Sequence, residues 1–179
     1  MSTVWNFEIE LSDIDRGMYD TLTFPLAQHP SETVEYLVAR ALAYALEFTE
    51  GLTFPPGGLS TPDNPALWVH DLTGQLTQWI EIGGPSPARV HKACKAADRV
   101  AIYHHKDLAN YLSLMAKERV YSPEKVEIFG LDTALIGWIR DRVQKRTALT
   151  LSRNDGELYV EMGGESTSAA VVRQGWPAR

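Results

Sequence analysis

The sequence predicts a mixed α/β fold, and three patterns carry that prediction. Apolar and polar residues alternate near the start, a 3.6-residue apolar period follows, and strand-like and helix-like segments then alternate from residue 76 onward. Hydrophobic residues make up 44% and charged residues 22%, close to globular averages, so a packed core is expected rather than a disordered chain.

Trp5, Phe7, Ile9 and Leu11 alternate with Asn6, Glu8, Glu10 and Ser12, the period of a half-buried strand. A turn within Asp13 to Asp20 and a second alternation through Leu22, Phe24 and Leu26 complete a hairpin. Val34, Leu37, Val38, Ala41, Leu42, Ala45 and Leu46 then trace one helix face, with Ser31 read as its N-cap. Glu32 and Glu35 sit where the positive helix start favours acids.

Leu52 to Asn64 is a loop rich in Pro and Gly. Ala66 to His70 and Leu76 to Ile82 read as strands joined at Thr73-Gly74, and Gly83, Gly84 and Pro85 end the second. Pro87 to Ala97 reads as a helix, Arg99 to Tyr103 as a strand, residues 107–118 as a helix, Lys125 to Phe129 as a strand and Thr133 to Val143 as a helix. Thr147 to Ser152 and Glu157 to Met162 flank Asn154-Asp155-Gly156, a strong hairpin turn. The expected architecture is one mixed sheet with hairpins and flanking helices. It forms a single domain over residues 1–163, with residues 164–179 as a loosely held tail.

Composition removes several function classes. The lone Cys94 excludes an internal disulfide and a multi-cysteine zinc site, and reads as a half-buried structural thiol. No apolar run reaches the roughly 18 residues of a membrane span, and residues 1–10 lack a secretory pattern, so the cytoplasm is the expected location. A formal charge of −6 weighs against a broad basic surface for nucleic acid, leaving room only for a local basic cleft. Protein partners are not indicated.

The chemistry concentrates between Asp63 and Lys95. Glu81 stands inside the apolar run Trp79-Ile80-Glu81-Ile82, where a carboxylate is costly unless it is paired, binds a metal or faces solvent from a one-sided sheet. A hairpin centred on Thr73-Gly74 sets Glu81 roughly opposite Ala66. That favours Asp63 as its neighbour over Asp71, which falls near the turn, although a bulge could reverse the choice. The following helix carries Arg89, Lys92 and Lys95 at three-residue spacing, either as a solvated basic face or as cations facing the carboxylates. Two carboxylates with a lysine suit a hard cation such as Mg²⁺ that meets a phosphate.

These residues resemble the YaeQ family. His29-Pro30-Ser31-Glu32-Thr33 with Glu35 and Arg40, Asp63, Pro65-Ala66-Leu67-Trp68, Trp79-Ile80-Glu81-Ile82-Gly83 with Pro85, and Arg89 with Lys92-Ala93 carry the likeness. The resemblance implies a variant of the PD-(D/E)XK nuclease superfamily, restriction-endonuclease-like, with Mg²⁺ or Mn²⁺ and phosphodiester hydrolysis. Asp63 and Glu81 would hold the metal. The motif's lysine belongs two residues after Glu81, where Gly83 stands, so Lys92 would replace it. Glu32 or Glu35 would complete the catalytic shell, Arg89 and Arg40 would contact substrate phosphate, and nucleic acid would be the partner. The competing expectation is a catalytically inactive nuclease-like binding or regulatory module, favoured by the net charge and by Gly83.

Other signals are weaker. His104-His105 read as strand-end surface residues, and His29 as a turn residue. Ser60 and Ser86 lack a Gly-x-Ser-x-Gly setting, and Gly83-Gly84 is too short for a phosphate loop. Trp68, Trp79 and Trp138 read as core or rim aromatics.

Overall fold

The computed structural model describes residues 2–58 and 61–178; Ser60 lies outside them. Eleven strands, four α-helices and a 3-10 turn are found among the described residues. The chain forms two compact units, Met1–Leu46 with Leu131–Val171 (unit 1) and Glu47–Gly130 with Val172–Arg179 (unit 2). Where one mixed sheet is expected, two form.

Unit 1 is built on the predicted hairpin, β1 (Thr3–Asp13) and β2 (Met18–Gln28), which pair antiparallel along their whole length. Phe7, Ile9 and Leu11 face inward with Leu22, Phe24 and Leu26, as the alternation requires. The other edge of β1 pairs in parallel with β8 (Arg146–Asn154), which forms the predicted hairpin with β9 (Glu157–Met162). Asp155 at φ 52 and Gly156 at φ 73 form that turn, and Asp15 accepts from both of their amides. Helix α1 (Val34–Leu46) supplies Leu37, Leu42 and Leu46 to the core. Its cap differs from the expectation: Thr33 Oγ1 accepts from the Tyr36 amide at 3.1 Å, while Ser31 engages His29 Nδ1 at 2.7 Å. Helix α4 (Thr133–Arg140) ends three residues before the predicted Val143.

Unit 2 holds a six-stranded sheet in the order β11-β7-β6-β5-β4-β3. The strands in chain order are β3 (Leu52–Thr53), β4 (Leu67–His70), β5 (Leu76–Ile82), β6 (Arg99–His104), β7 (Val126–Gly130) and β11 (Val172–Gly175). The pairs β5–β6 and β6–β7 are parallel, as the strand–helix alternation predicts. Helices α2 (Pro87–Ala96) and α3 (Leu108–Met115) cover Trp79, Val100, Ile102 and Ile128 with Val90, Cys94, Tyr111 and Met115. Cys94 is fully buried, and that burial pushes its thiol pKa up, consistent with a packing role. On β6, Arg99 donates to Glu47 and Glu127 at 2.7 Å each, and the Tyr103 hydroxyl also donates to Glu47.

Residues 165–175 correct the reading of a loose tail. Glu165–Ala170 forms β10 against β9, and β11 pairs with β7. Small polar residues in Glu165–Ala170 provide no apolar alternation, so only backbone pairing reveals that strand.

Candidate functional site

The hairpin register places the first carboxylate. Leu67 pairs with Ile80 and Trp68 with Trp79, so the ladder ends one residue short of Glu81, where the chain runs back from Leu67 into the loop that holds Asp63. A register shift does occur, between Val69 and His70, but it is confined to the turn end of the hairpin. Asp63 therefore lies just beyond the strand end that carries Glu81. Asp71 serves the turn: its Oδ1 accepts from the Thr73 amide at 2.8 Å, the Thr73 hydroxyl at 2.6 Å and the Gln75 amide at 3.0 Å. Those bonds hold its carboxyl below the usual aspartate range.

Glu81 is buried, 5% exposed, rather than turned to solvent. Its Oε1 accepts from Trp79 Nε1 at 2.6 Å and from Arg89 Nε at 2.7 Å. Trp79 reaches it because residues two apart on a strand share a face, a relation visible in the sequence although Trp79 reads there as a core or rim aromatic. Burial raises the Glu81 pKa, and the Arg89 charge and the two hydrogen bonds only partly oppose that.

Arg89 does more than balance this charge. Its two terminal nitrogens donate to the backbone oxygens of Pro62 and Asn64, so one guanidinium ties β5 to the loop on either side of Asp63. Ser86 starts α2 as its N-cap, accepting from the Arg89 amide, and Pro87 fits the first turn. One turn further along α2, Lys92 Nζ lies 3.3 Å from Asp63 Oδ1. The Lys92 and Asp63 side chains are 52% and 89% exposed, so this pair is open to solvent and exchangeable.

Gly83, two residues after Glu81, has a backbone that does not suit a lysine. Its φ of +89 is a conformation that L side chains rarely adopt. This turn lets its amide donate to the Tyr103 carbonyl at 2.8 Å, and its own carbonyl contacts His104 Nδ1 at 3.2 Å. Neither His104 nor His105 is a surface residue: they are 7% and 5% exposed. The His104 ring stacks on Tyr111 with centroids 4.9 Å apart, and the Tyr111 hydroxyl donates to the Pro85 carbonyl. Burial and then the Glu81 charge push the Tyr111 phenol far above its ordinary pKa.

The remaining predicted residues belong to unit 1, and each has a partner there. Glu32 is buried, accepts from the His29 amide at 3.2 Å, and stands 3.7 Å from Arg40 Nε. Arg40 is buried too and donates to the Ala27 carbonyl at 2.7 Å. Burial raises the Glu32 pKa and lowers that of Arg40. Glu35 pairs with Arg140 at 2.8 Å on a half-exposed surface. Among the described residues, no three His, Cys, Asp or Glu side chains assemble as a metal-binding group. Oε1 of Glu81 is engaged by a guanidinium and an indole.

The fold and this strand-end cluster define a mixed α/β protein with a buried, guanidinium-locked glutamate beside an exposed lysine–aspartate pair. The family model described as YaeQ protein matches residues 1–171, and the chain belongs to the YaeQ family. It is 26% identical over 160 residues to the uncharacterized protein YaeQ of Salmonella typhi, covering 89% of this chain and 88% of that one. To the uncharacterized protein YaeQ of Escherichia coli (strain K12) it is 33% identical over 108 residues, covering 60% and 59%. The crystal structure of the YaeQ protein from Xanthomonas axonopodis pv. citri is similar, with a TM-score of 0.83, 30% identity and full coverage of both chains. That from Pseudomonas syringae gives 0.86 at 27% identity, covering 99% and 97%. No helix among the described residues is long and apolar enough to cross a membrane.

Proposed function

We propose that the protein is a nuclease-like binding module that recognises phosphodiester groups at the exposed Lys92, without a catalytic metal. The observation that supports this most is the three-way engagement of Arg89, which balances Glu81 and anchors the loop around Asp63. A guanidinium hydrogen-bonded to Oε1 already supplies Glu81 with a counter-charge, the role a divalent ion would otherwise fill. Lys92 Nζ, by contrast, meets the exposed Asp63 at its carboxylate (3.3 Å) and its backbone oxygen (3.4 Å), and an incoming phosphate can replace that pairing at little cost. Charge distribution also fits. Unit 2 carries ten Lys and Arg against ten Asp and Glu, so the formal charge of −6 resides wholly in unit 1.

The test is binding read separately from cleavage. A labelled oligonucleotide incubated with Mg²⁺ or Mn²⁺ should be bound and left intact, and Lys92→Ala should weaken binding by about tenfold. Intact binding by Lys92→Ala at wild-type affinity would sink the proposal.

A second reading is a Mg²⁺- or Mn²⁺-dependent phosphodiesterase. It draws on the closeness of Lys92 and Asp63, which the superfamily motif requires once Gly83 excludes the usual lysine position. Asp63 and Glu81 would hold the ion after Arg89 released Glu81. Metal-dependent cleavage that disappears in Glu81→Gln would favour this reading over the first.

A further inference from the structure

The far end of α2 carries a second grouping that this site does not use. Tyr121 is 51% exposed, and Lys95 Nζ and Lys125 Nζ lie over its ring at 5.9 and 6.0 Å from the centroid. The His91 ring meets it edge-on at 6.2 Å, and the Tyr121 amide donates to His91 Nδ1 at 3.0 Å. The ring is thus held by its own backbone and by an α2 side chain, with much of its surface left to solvent. Lys125 is fixed as well, donating to the Cys94 and Ala97 carbonyls at the end of α2 at 2.9 and 3.1 Å. Lys92 and Lys95 stand one turn apart on α2, about 5–6 Å between Cβ atoms. The exposed side of α2 therefore runs from Lys92 beside Asp63, through Lys95, to a half-exposed aromatic ring within cation–π reach of two lysines.

From this arrangement we infer that α2 and Tyr121 form a track for single-stranded nucleic acid. An exposed aromatic ring stacks an unpaired base, whereas the bases of a duplex are already stacked on one another. Flanking lysines meet the backbone phosphates, and a ring already under cationic influence keeps them close to the stacked base. An acidic protein partner would use the lysines and leave the ring face idle, so the ring favours a strand of bases. The track rests on the proposed phosphodiester reading for its Lys92 end, and the Tyr121 end is independent of it.

Fluorescence anisotropy with a labelled single strand of about 12 nucleotides, inside the usual site size, tests the track in EDTA. Tyr121→Ala should bind about tenfold more weakly, and Tyr121→Phe should restore wild-type affinity. Lys95→Ala should lower the slope of log affinity against log salt by about 0.7. The two ends fail separately. If Lys92→Ala weakens binding but Tyr121→Ala does not, the track is wrong and the phosphodiester site stands. If only Tyr121→Ala weakens it, the track stands and the site at Lys92 is wrong. Tighter binding of a duplex than of the single strand would overturn the track. So would displacement of the strand by polyglutamate at matched charge, and absence of any binding would overturn both.

Discussion

Two buried carboxylates, one in each unit, meet arginines and respond in opposite directions. Asp13 of unit 1 is fully buried and lies between two guanidiniums, with Arg16 Nε at 2.7 Å and Arg153 Nη2 at 2.5 Å. Burial works against its charge, yet Arg153 and Arg16 together outweigh that and hold its pKa below the ordinary value. Glu81 of unit 2 has one guanidinium and one indole, and burial wins. Glu32, with a single arginine at 3.7 Å, behaves like Glu81. Two guanidiniums outweigh burial at Asp13, whereas at Glu81 and Glu32, each with one arginine, burial stays ahead.

That contrast can be broken most severely at Asp13. Asp13→Ala leaves two arginines without their shared acceptor and should cost about 4 kcal/mol in urea unfolding, near the top of the range for breaking a buried pair. Arg89→Ala should cost less, about 2 kcal/mol, because the Arg89 side chain is 28% exposed and water can reach part of the vacated site. Its more telling effect is local. Amide exchange should accelerate across residues 61–66, where the Pro62 and Asn64 oxygens lose their donor, with little change in the α3 amides.

The pH profiles should sharpen the same comparison. Asp13, with its pKa lowered, contributes stability that is present above the ordinary aspartate value of 3.8 and is lost as pH falls through the folded value. Glu81, with its pKa raised, favours the fold when protonated. Its contribution is present below the ordinary glutamate value of 4.5 and is lost as pH rises through the folded value. Urea midpoints from pH 3 to 8 should therefore show a flatter acid limb in Asp13→Asn and a smaller decline above about pH 4.5 in Glu81→Gln. The smallest expected change is at the exposed pair: Lys92→Ala should alter stability by about 0.5 kcal/mol or less while weakening oligonucleotide binding about tenfold.

Much of this was legible in the sequence, where local pattern decides structure. The Trp5 to Leu26 alternation, the α1 period and the Thr73-Gly74 hairpin each follow from period and turn chemistry. Long-range pairing was not legible. The parallel pairing of β1 with β8 joins residues about 140 positions apart and makes two sheets from an expected one. His104 and His105 read as surface residues because their cover comes from elsewhere, from Tyr111 and the Gly83 carbonyl for His104. Arg89 was visible as a cation facing the carboxylates. Its hold on the loop was hidden, because two of its three acceptors are backbone oxygens that no sequence pattern marks.

The central claim is that Arg89, and not a divalent ion, balances Glu81. Calorimetric titration of Mg²⁺ and Mn²⁺ into wild type and Glu81→Gln tests it directly. Both proteins should give the same negligible heat. One cation bound per wild-type chain, lost in Glu81→Gln, would contradict it.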